Sequence, residues 1–300
     1  MASKSTSAAP KGVETVENMK KRSQFIEIAK RFSKRKISFI GLIIVILLII
    51  IAAFAKYIAP YDFAAQSLSE RLQYPSSAHW LGTDNFGRDI LTRMIYGGQT
   101  SLLVSLLGCA ISVIIGGVIG AVSGYYSGKV DTLLMRLMDV LNAIPMTLLA
   151  VVISASLGTG TWQTALAISV GGIAPTARML RASVLSVRSQ EFVEAAIAYG
   201  SKDRRIIFRH VVPNCLAPVI VDTTLRLGGN IMAISGLSFI GLGVQAPYAE
   251  WGAMLNAGRQ YIRDFYPLIT FPGIAILLAM LGFNLFGDGL RDALDPKQKQ

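Results

Sequence analysis

Charge is scarce in this sequence: Asp, Glu, Lys and Arg make up 16% of its 300 residues, while 52% are hydrophobic and the mean hydropathy is +0.50. A soluble domain of this size needs more charge on its water-facing surface, so the composition excludes an ordinary globular protein and points to a bilayer. Histidine and cysteine are scarcer still, with two of each. His79 and His210 fall on opposite sides of the predicted membrane without a second His or Cys at ligand spacing, so no metal site is expected. Asp84, Asn85 and Asp89 lack the spacing of a Ca²⁺ loop; Asp84 or Asn85 is expected instead to cap a short helix carrying Ile90, Leu91, Met94 and Ile95. Cys109 and Cys215 sit on different predicted helices near opposite faces, which argues against a disulfide.

A phosphate-cradling loop is also missing. In "SGYYSGKV" Ser123 replaces the first Gly of the G-x-x-x-x-G-K-[ST] pattern and Val130 replaces its closing hydroxyl, while "GTGTWQ" and "GLGVQA" lack the last Gly of a dinucleotide loop. No nucleotide site is therefore expected. Charged residues are few inside the apolar runs and no inverted repeat is visible, which argues against a secondary transporter or channel. Those runs also hold no paired Asp, no Ser with Lys or His, and no ligand cluster for an intramembrane enzyme.

What is present is a series of apolar runs. Ile37 to Ala55 is 19 residues without a charge, about 28 Å as a helix against a ~30 Å hydrocarbon core. Further spans are expected at 100–126, 133–157, 162–185, 214–242 and 267–286, which makes six in an all-α membrane protein. The formal charge of +11 is distributed accordingly. Ten of the 29 Lys and Arg residues precede Ile37 and seven more lie from Arg178 to Arg209. The connecting segments, counted with the adjoining span ends that carry Arg136, Arg178 and Arg181, hold 22 on one side and five on the other, which places both termini in the cytoplasm and removes the need for a nucleic-acid partner.

The expected organisation is a cytoplasmic tail at 1–36, a first span at 37–59, an extracytoplasmic segment at 60–99, a five-span core at 100–290 and a cytoplasmic tail at 291–300. Within the first tail, 1–24 is expected to be disordered and 25–36 to form a basic amphipathic helix on the inner leaflet of the lipid bilayer. Gly108, Ser112, Gly116, Gly120, Gly124 and Gly128 recur every four residues, a ridge of small residues that lets another helix approach closely. Four residues overshoot one turn by about 40°, so the ends of the ridge are expected to meet different neighbours. Pro145 and Pro175 are expected to kink their spans. Asp222 and Arg226, spaced i, i+4, either neutralise each other within one helix or line a translocation path together with Asn230.

One charged stretch interrupts the oily chain: "EFVEAAIAYGSKDRRIIFRHVVPN", Glu191 to Asn214. The fourth span is expected to run on through Arg188 into "EFVEAAIAY" until Gly200 ends it as a left-handed cap. Ser201 then caps a second short helix before Pro213. Phe192, Ile197, Tyr199, Ile206 and Phe208 are too many apolar residues for a connector facing only water. Either another protein covers them or they pack on the parent bundle.

The stretch resembles the EAA loop of permease subunits of binding-protein-dependent ABC importers, with E-A-A, three residues, G, nine residues, then I-x-L-P. Glu194, Ala195, Ala196, Gly200 and Pro213 match, whereas His210 and Val212 stand where Ile and Leu are usual. "HWLGTDNFGRDIL", "GYYSGKVDTLLMRLMDVLNAIP", "GLSFIGLGVQAP" and "EWGAML" are similar to the dipeptide, oligopeptide and nickel branch, most of all its C-type permease. The resemblance implies the type I importer permease fold in a bacterial or archaeal cytoplasmic membrane. It also implies a second homologous permease as heterodimer partner, an extracytoplasmic solute-binding protein, and two cytoplasmic ATPase subunits that bind the ATP and Mg. In that family the loop, here 186–213, is the coupling element. Glu194, Ala195, Ala196, Gly200, Ser201 and Pro213 would then form the ATPase docking surface, and the cargo would be a peptide, nickel or another small solute such as glutathione.

Overall fold

The computed structural model describes Phe32 and residues 35–294. The expectations for 1–24, and for most of the amphipathic helix at 25–36, lie outside the described residues. The described residues form helices and loops without a strand, apart from one isolated bridge between Thr83 and Asp89.

Helix α1, Lys36–Ala53, shows bare Ile, Leu and Phe side chains on most of its circumference and buries Ser38, Gly41, Val45 and Ala52. Lipid tails are as apolar as these side chains, so close contact rather than water exclusion must hold the helix. Its partner is α9, Pro267–Leu294. A Cβ on Gly41 would lie 2.6 Å from Leu285, one on Gly282 2.6 Å from Ile44, and one on Gly289 2.3 Å from Ser38. These pairs run in opposite senses along the two chains, so α1 and α9 are antiparallel.

Helix α2, Ile90–Tyr126, is 37 residues long. It begins well before the expected Thr100 and absorbs the short helix predicted around Ile90. Its cap is Asp89, whose side chain accepts from Thr92 N at 2.7 Å. Asp84 serves the preceding turn instead, accepting from Phe86 N and Arg88 N. At 1.5 Å per residue α2 is about 55 Å long, so nearly half of it stands outside a ~30 Å core.

The third expected span is two helices, α3 (Gly128–Ala143) and α4 (Met146–Leu157), bent by 86° at Ile144 and Pro145. This is a break rather than the kink expected from Pro145. Helix α5, Thr161–Arg188, carries Pro175 without interruption. It stops at Arg188, so the predicted run-on into Glu191 does not occur. Val184, Val187 and Val193 all enter one core cluster. At about 100° per residue, a straight helix would turn Val193 some 120° away from Val187, and the break at Ser189 and Gln190 lets both face inward.

Helix α6, Glu191–Ala198, is followed by an irregular helical stretch of a single turn at Asp203–Arg205, a π-helix at Ile206–Val211 and a 3₁₀ turn at Val212–Cys215. The stretch continues into α7, Leu216–Phe239. Helix α8, Trp251–Gly258, is short and leads to α9, which extends eight residues beyond its predicted end.

Among the described residues four helices are long and apolar enough to cross a membrane, or five spans if the bent pair counts as one. The fourth expected span, α5, has the length but not the apolarity, because Thr, Ser, Gly, Arg178 and Arg181 take up its faces.

The ridge on α2 packs against one helix throughout. A Cβ at Gly108 would lie 3.4 Å from Ala165 O, at Gly116 2.5 Å from Ile173 O, at Gly120 2.3 Å from Ala177 O and at Gly124 2.9 Å from Arg181 O. Between them, Ser112 donates to Ser169 O at 2.7 Å. The contacts on α5 also advance by four residues, so the two helices run parallel and coil around each other instead of diverging. That coiling overturns the expectation of different neighbours at the two ends. Gly128 lies past the seam with nothing within 4 Å.

Candidate functional site

The segment between α5 and α7 is built on an apolar underside. Val193, Ile206, Ile207, Val211 and Cys215 are buried with Ala121 and Tyr125 of α2, Leu180, Val184 and Val187 of α5, and Val219 of α7. The Tyr125 hydroxyl donates to Asp203 at 3.0 Å, and Arg188 stacks 5.7 Å from the Tyr125 ring centroid while donating to Ser127 Oγ at 2.9 Å. None of these ties was legible before the fold brought the end of α2 under the segment.

The upper surface is open. Glu194, Ala195, Gly200 and Pro213 are exposed, and Ala196 and Ser201 are half-buried. Of the five apolar residues singled out, Ile206 is buried, whereas Phe192, Ile197, Tyr199 and Phe208 are 39%, 51%, 91% and 56% exposed. One therefore packs on the bundle and four face outward.

Gly200 has φ +72°, the left-handed conformation that glycine adopts without a Cβ penalty. Ser201 N donates to Ala196 O at 3.1 Å and Gly200 N to Ile197 O at 2.9 Å, the paired bonds of a Schellman turn. The turn closes α6 and redirects the chain. Ser201 does not cap the helical turn at Asp203–Arg205: the residue at its start is Lys202, without a side-chain cap, so Ser201 lies one residue too early. Pro213 sits in the 3₁₀ turn, where its missing N–H is tolerated.

Asp222 and Arg226 form the intrahelical ion pair expected from their spacing. Arg226 also reaches α5, donating to Gly172 O at 2.7 Å and Thr176 Oγ1 at 3.0 Å. Asp222 borders a cleft of about 670 Å³ with Met179, Leu225 and Arg291. Asn230 is 3% exposed and its amide donates to Cys109 Sγ at 3.3 Å, so it belongs to the α2–α7 contact and not to an open path. A second, more apolar cleft of about 450 Å³ lies between α4 and α7, lined by Met146, Ala150, Gly229, Met232 and Gly236.

Two further constructions escaped sequence reasoning. Asp131 of α3 receives Arg181 of α5 at 2.6 Å, and Asp139 receives Arg178 at 2.8 Å, so the amphipathic half of the bent pair is tied to α5. At the other end of the molecule Glu250 is fully buried. It accepts from Ser101 of α2 at 3.1 Å, from Ser235 of α7 at 3.5 Å, and from Gly252 N and Ala253 N at the start of α8, both at 2.9 Å. The signal for it was "EWG", a carboxylate at a helix start. Among the described residues no group of three His, Cys, Asp or Glu is arranged to hold a metal ion.

Residues 116–300 match the model of the binding-protein-dependent transport system inner membrane component, and residues 23–75 match the N-terminal transmembrane domain of oligopeptide transport permease C. The chain is 45% identical to the dipeptide transport system permease protein DppC of Alkalihalophilus pseudofirmus, over 92% of this chain and 91% of that relative. It is 42% identical to the glutathione transport system permease protein GsiD of Escherichia coli, over 93% and 92% of the two. A solved structure of the MetNI methionine ABC transporter in an inward-facing conformation shares the fold. Its TM-score is 0.56 at 16% identity, covering 69% of this chain and 98% of that one. The chain therefore belongs to the inner-membrane permease components of binding-protein-dependent ABC importers, as a multi-pass protein of the C type in the bacterial cytoplasmic membrane.

Proposed function

We propose that this chain is one half of a peptide-importing pore, paired with a second homologous permease, supplied by an extracytoplasmic solute-binding protein and driven by two cytoplasmic ATPase subunits that hold the ATP and Mg. The open surface of α6 above a buried apolar underside carries this reading. A segment anchored to the ends of α2, α5 and α7, yet bare on top, is suited to receive force from a seated partner and pass it into three helices. The distribution of Lys and Arg favours a cytoplasmic position for it. The start of α1 and the end of α9 lie at the same end of the bundle, which supports a common side for the two termini. Helix α5 crosses with the other spans, its polar faces covered by α2 and α3. Peptide is the cargo favoured by the dipeptide and peptide permeases among the relatives, and the glutathione permease fits the same chemistry.

In this mechanism ATP binding draws the ATPase subunits together, Glu194, Ala195 and Ala196 move with them, and α5 and α7 reorient the cavity that Asp222 borders. Glu194 offers a charged hydrogen-bond acceptor, the two alanines permit close approach, and Gly200 sets the angle at which α6 is presented. Gly200→Pro and Glu194→Arg in the reconstituted complex should abolish uptake and the ATP hydrolysis stimulated by the loaded binding protein. Unchanged stimulation in both variants would remove the coupling role from this segment.

A further inference from the structure

The cleft of about 670 Å³ lies at the end of the bundle that bears α6. Met179 of α5, on one wall, packs against the core cluster beneath α6, and Leu225 of α7 and Leu294 of α9 stand on the others. The lining is apolar except for Asp222 of α7 and Arg291 of α9. An apolar cavity of about 300–1,000 Å³ on which a few polar groups converge is the usual form of a small-molecule site.

The packing of α7 on α9 sets those two charges opposite each other. A Cβ on Gly287 would lie 2.5 Å from Leu225, and one on Gly228 3.2 Å from Phe283, so the two helices are antiparallel. Asp222 precedes Leu225 by three residues, a rise of about 4.5 Å, and Arg291 follows Gly287 by four, about 6 Å. The acid and the base therefore stand at nearly the same level, on helices whose axes are about 8–10 Å apart. They do not bridge. Among the described residues Asp222 pairs with Arg226 alone, through one oxygen, and no acid pairs with Arg291. Arg226 is turned away toward Gly172 O and Thr176 Oγ1 of α5 and is not part of the lining. The cleft thus presents one carboxylate and one guanidinium, on facing walls.

An anion alone would meet Asp222 unfavourably, and a cation alone would meet Arg291 unfavourably, so the fitting ligand carries both charges. Along α7 the lining runs from Ala217 to Leu225, a rise of about 12 Å, which matches about three residues of extended peptide. We propose that this cleft binds a short unblocked peptide, with its α-ammonium on Asp222 and its α-carboxylate on Arg291. The proposal rests on the reading of peptide as the cargo, and it places a second hold on that cargo at the α6 end of the chain. Occupancy ties α7 to α9 beside the segment through which the ATPase subunits act. The ethanolamine headgroup of a phospholipid carries the same two signs, and the choice of lipids separates the two sources.

The test measures binding of radiolabelled dialanine by equilibrium dialysis to the permease pair assembled with its ATPase subunits, without solute-binding protein. The complex is held in nanodiscs of phosphatidylglycerol and phosphatidylcholine, and in parallel in discs that also contain phosphatidylethanolamine. Arg291→Gln and Asp222→Asn should each weaken binding about tenfold or more, the loss of one charged hydrogen bond, while Arg291→Lys retains most of it. Dialanine amide, which has no carboxylate, should bind wild type and Arg291→Gln equally, and N-acetyl-dialanine should bind wild type and Asp222→Asn equally. Equal dialanine affinity in wild type and Arg291→Gln, or no binding at millimolar peptide, would overturn the proposal. Phosphatidylethanolamine that co-purifies with wild type but not with Arg291→Gln, in a complex that takes up no dialanine, would assign the cleft to the headgroup instead. ATP hydrolysis stimulated by dialanine-loaded binding protein reads the cargo separately. Stimulation without binding in the cleft removes this site alone, and absence of both removes the peptide reading with it.

Discussion

Replacing Glu250 tests how the end of the bundle remote from α6 is held. The carboxylate is fully buried, caps α8 through Gly252 N and Ala253 N, and accepts from Ser101 of α2 and Ser235 of α7. Glu250→Ala leaves two backbone N–H groups and the buried Ser101 hydroxyl without an acceptor. The lost cap costs about 0.5–2 kcal/mol and each orphaned donor about 1–3 kcal/mol, which gives a total near 3–5 kcal/mol once overlap between the two is allowed. For a chain of this size that is a fall in Tm of roughly 6–10 °C. Glu250→Gln keeps one acceptor but turns an NH₂ toward a donor, and should fall about halfway between. Trp251 is the neighbouring residue and its indole N–H bonds Met94 O at 2.9 Å, so tryptophan emission in a background with Trp80 and Trp162 replaced by Phe reports the same site during the melt. A Glu250→Ala protein that unfolds within about 2 °C of wild type would refute the assignment of Glu250 as the tie among α2, α7 and α8.

Neighbouring glycines on α2 should respond to alanine with opposite signs. A Cβ at Gly117 meets only Leu180 at 3.7 Å, so Gly117→Ala gains up to about 1 kcal/mol of helix propensity, whereas one at Gly120 falls 2.3 Å from Ala177 O and should cost about 1–3 kcal/mol or more. Parallel melts in one detergent compare them, and a destabilised Gly117→Ala beside a neutral Gly120→Ala would contradict the seam. Asp89→Ala should lower stability by about 1–2 kcal/mol through loss of the bond to Thr92 N, while Asp89→Asn keeps most of it. Hydrogen exchange over 90–93 should rise in the alanine variant and not in the asparagine variant.

Features whose cause lies within a few residues could be read directly from the sequence. The four-residue recurrence of small residues announced a close helix contact, and Gly200 after a run of helix formers announced a left-handed stop. Features set by distant partners could not. That the short helix at Ile90 is the first part of α2 was not legible, and only the fold shows Asp84 beside both Arg88 and Arg93. The end of α5 at Arg188 contradicts local propensity because Val193 is drawn into a cluster built by three other elements. The span at 162–185 was legible, but the partners of its polar faces were not: Asp131, Asp139 and the ridge of α2 are supplied by tertiary structure.

Arg226 shows why the α6 segment can act on more than its own ends. Helix α5 leads into that segment and α7 leads out of it, and Arg226 on α7 donates to Gly172 O and Thr176 Oγ1 on α5. Pro175 lacks the N–H that would serve the carbonyl four residues earlier, so this turn of α5 is the one with the weakest internal bonding. The guanidinium therefore braces α5 where it bends most readily. As an i, i+4 pair whose members are 18% and 38% exposed, Asp222 and Arg226 contribute little stability through their own attraction. Their effect is geometric: Asp222 holds the guanidinium in the direction from which it can reach α5. A displacement at α6 thus meets two helices joined about ten residues into α7, and they must tilt together about that joint.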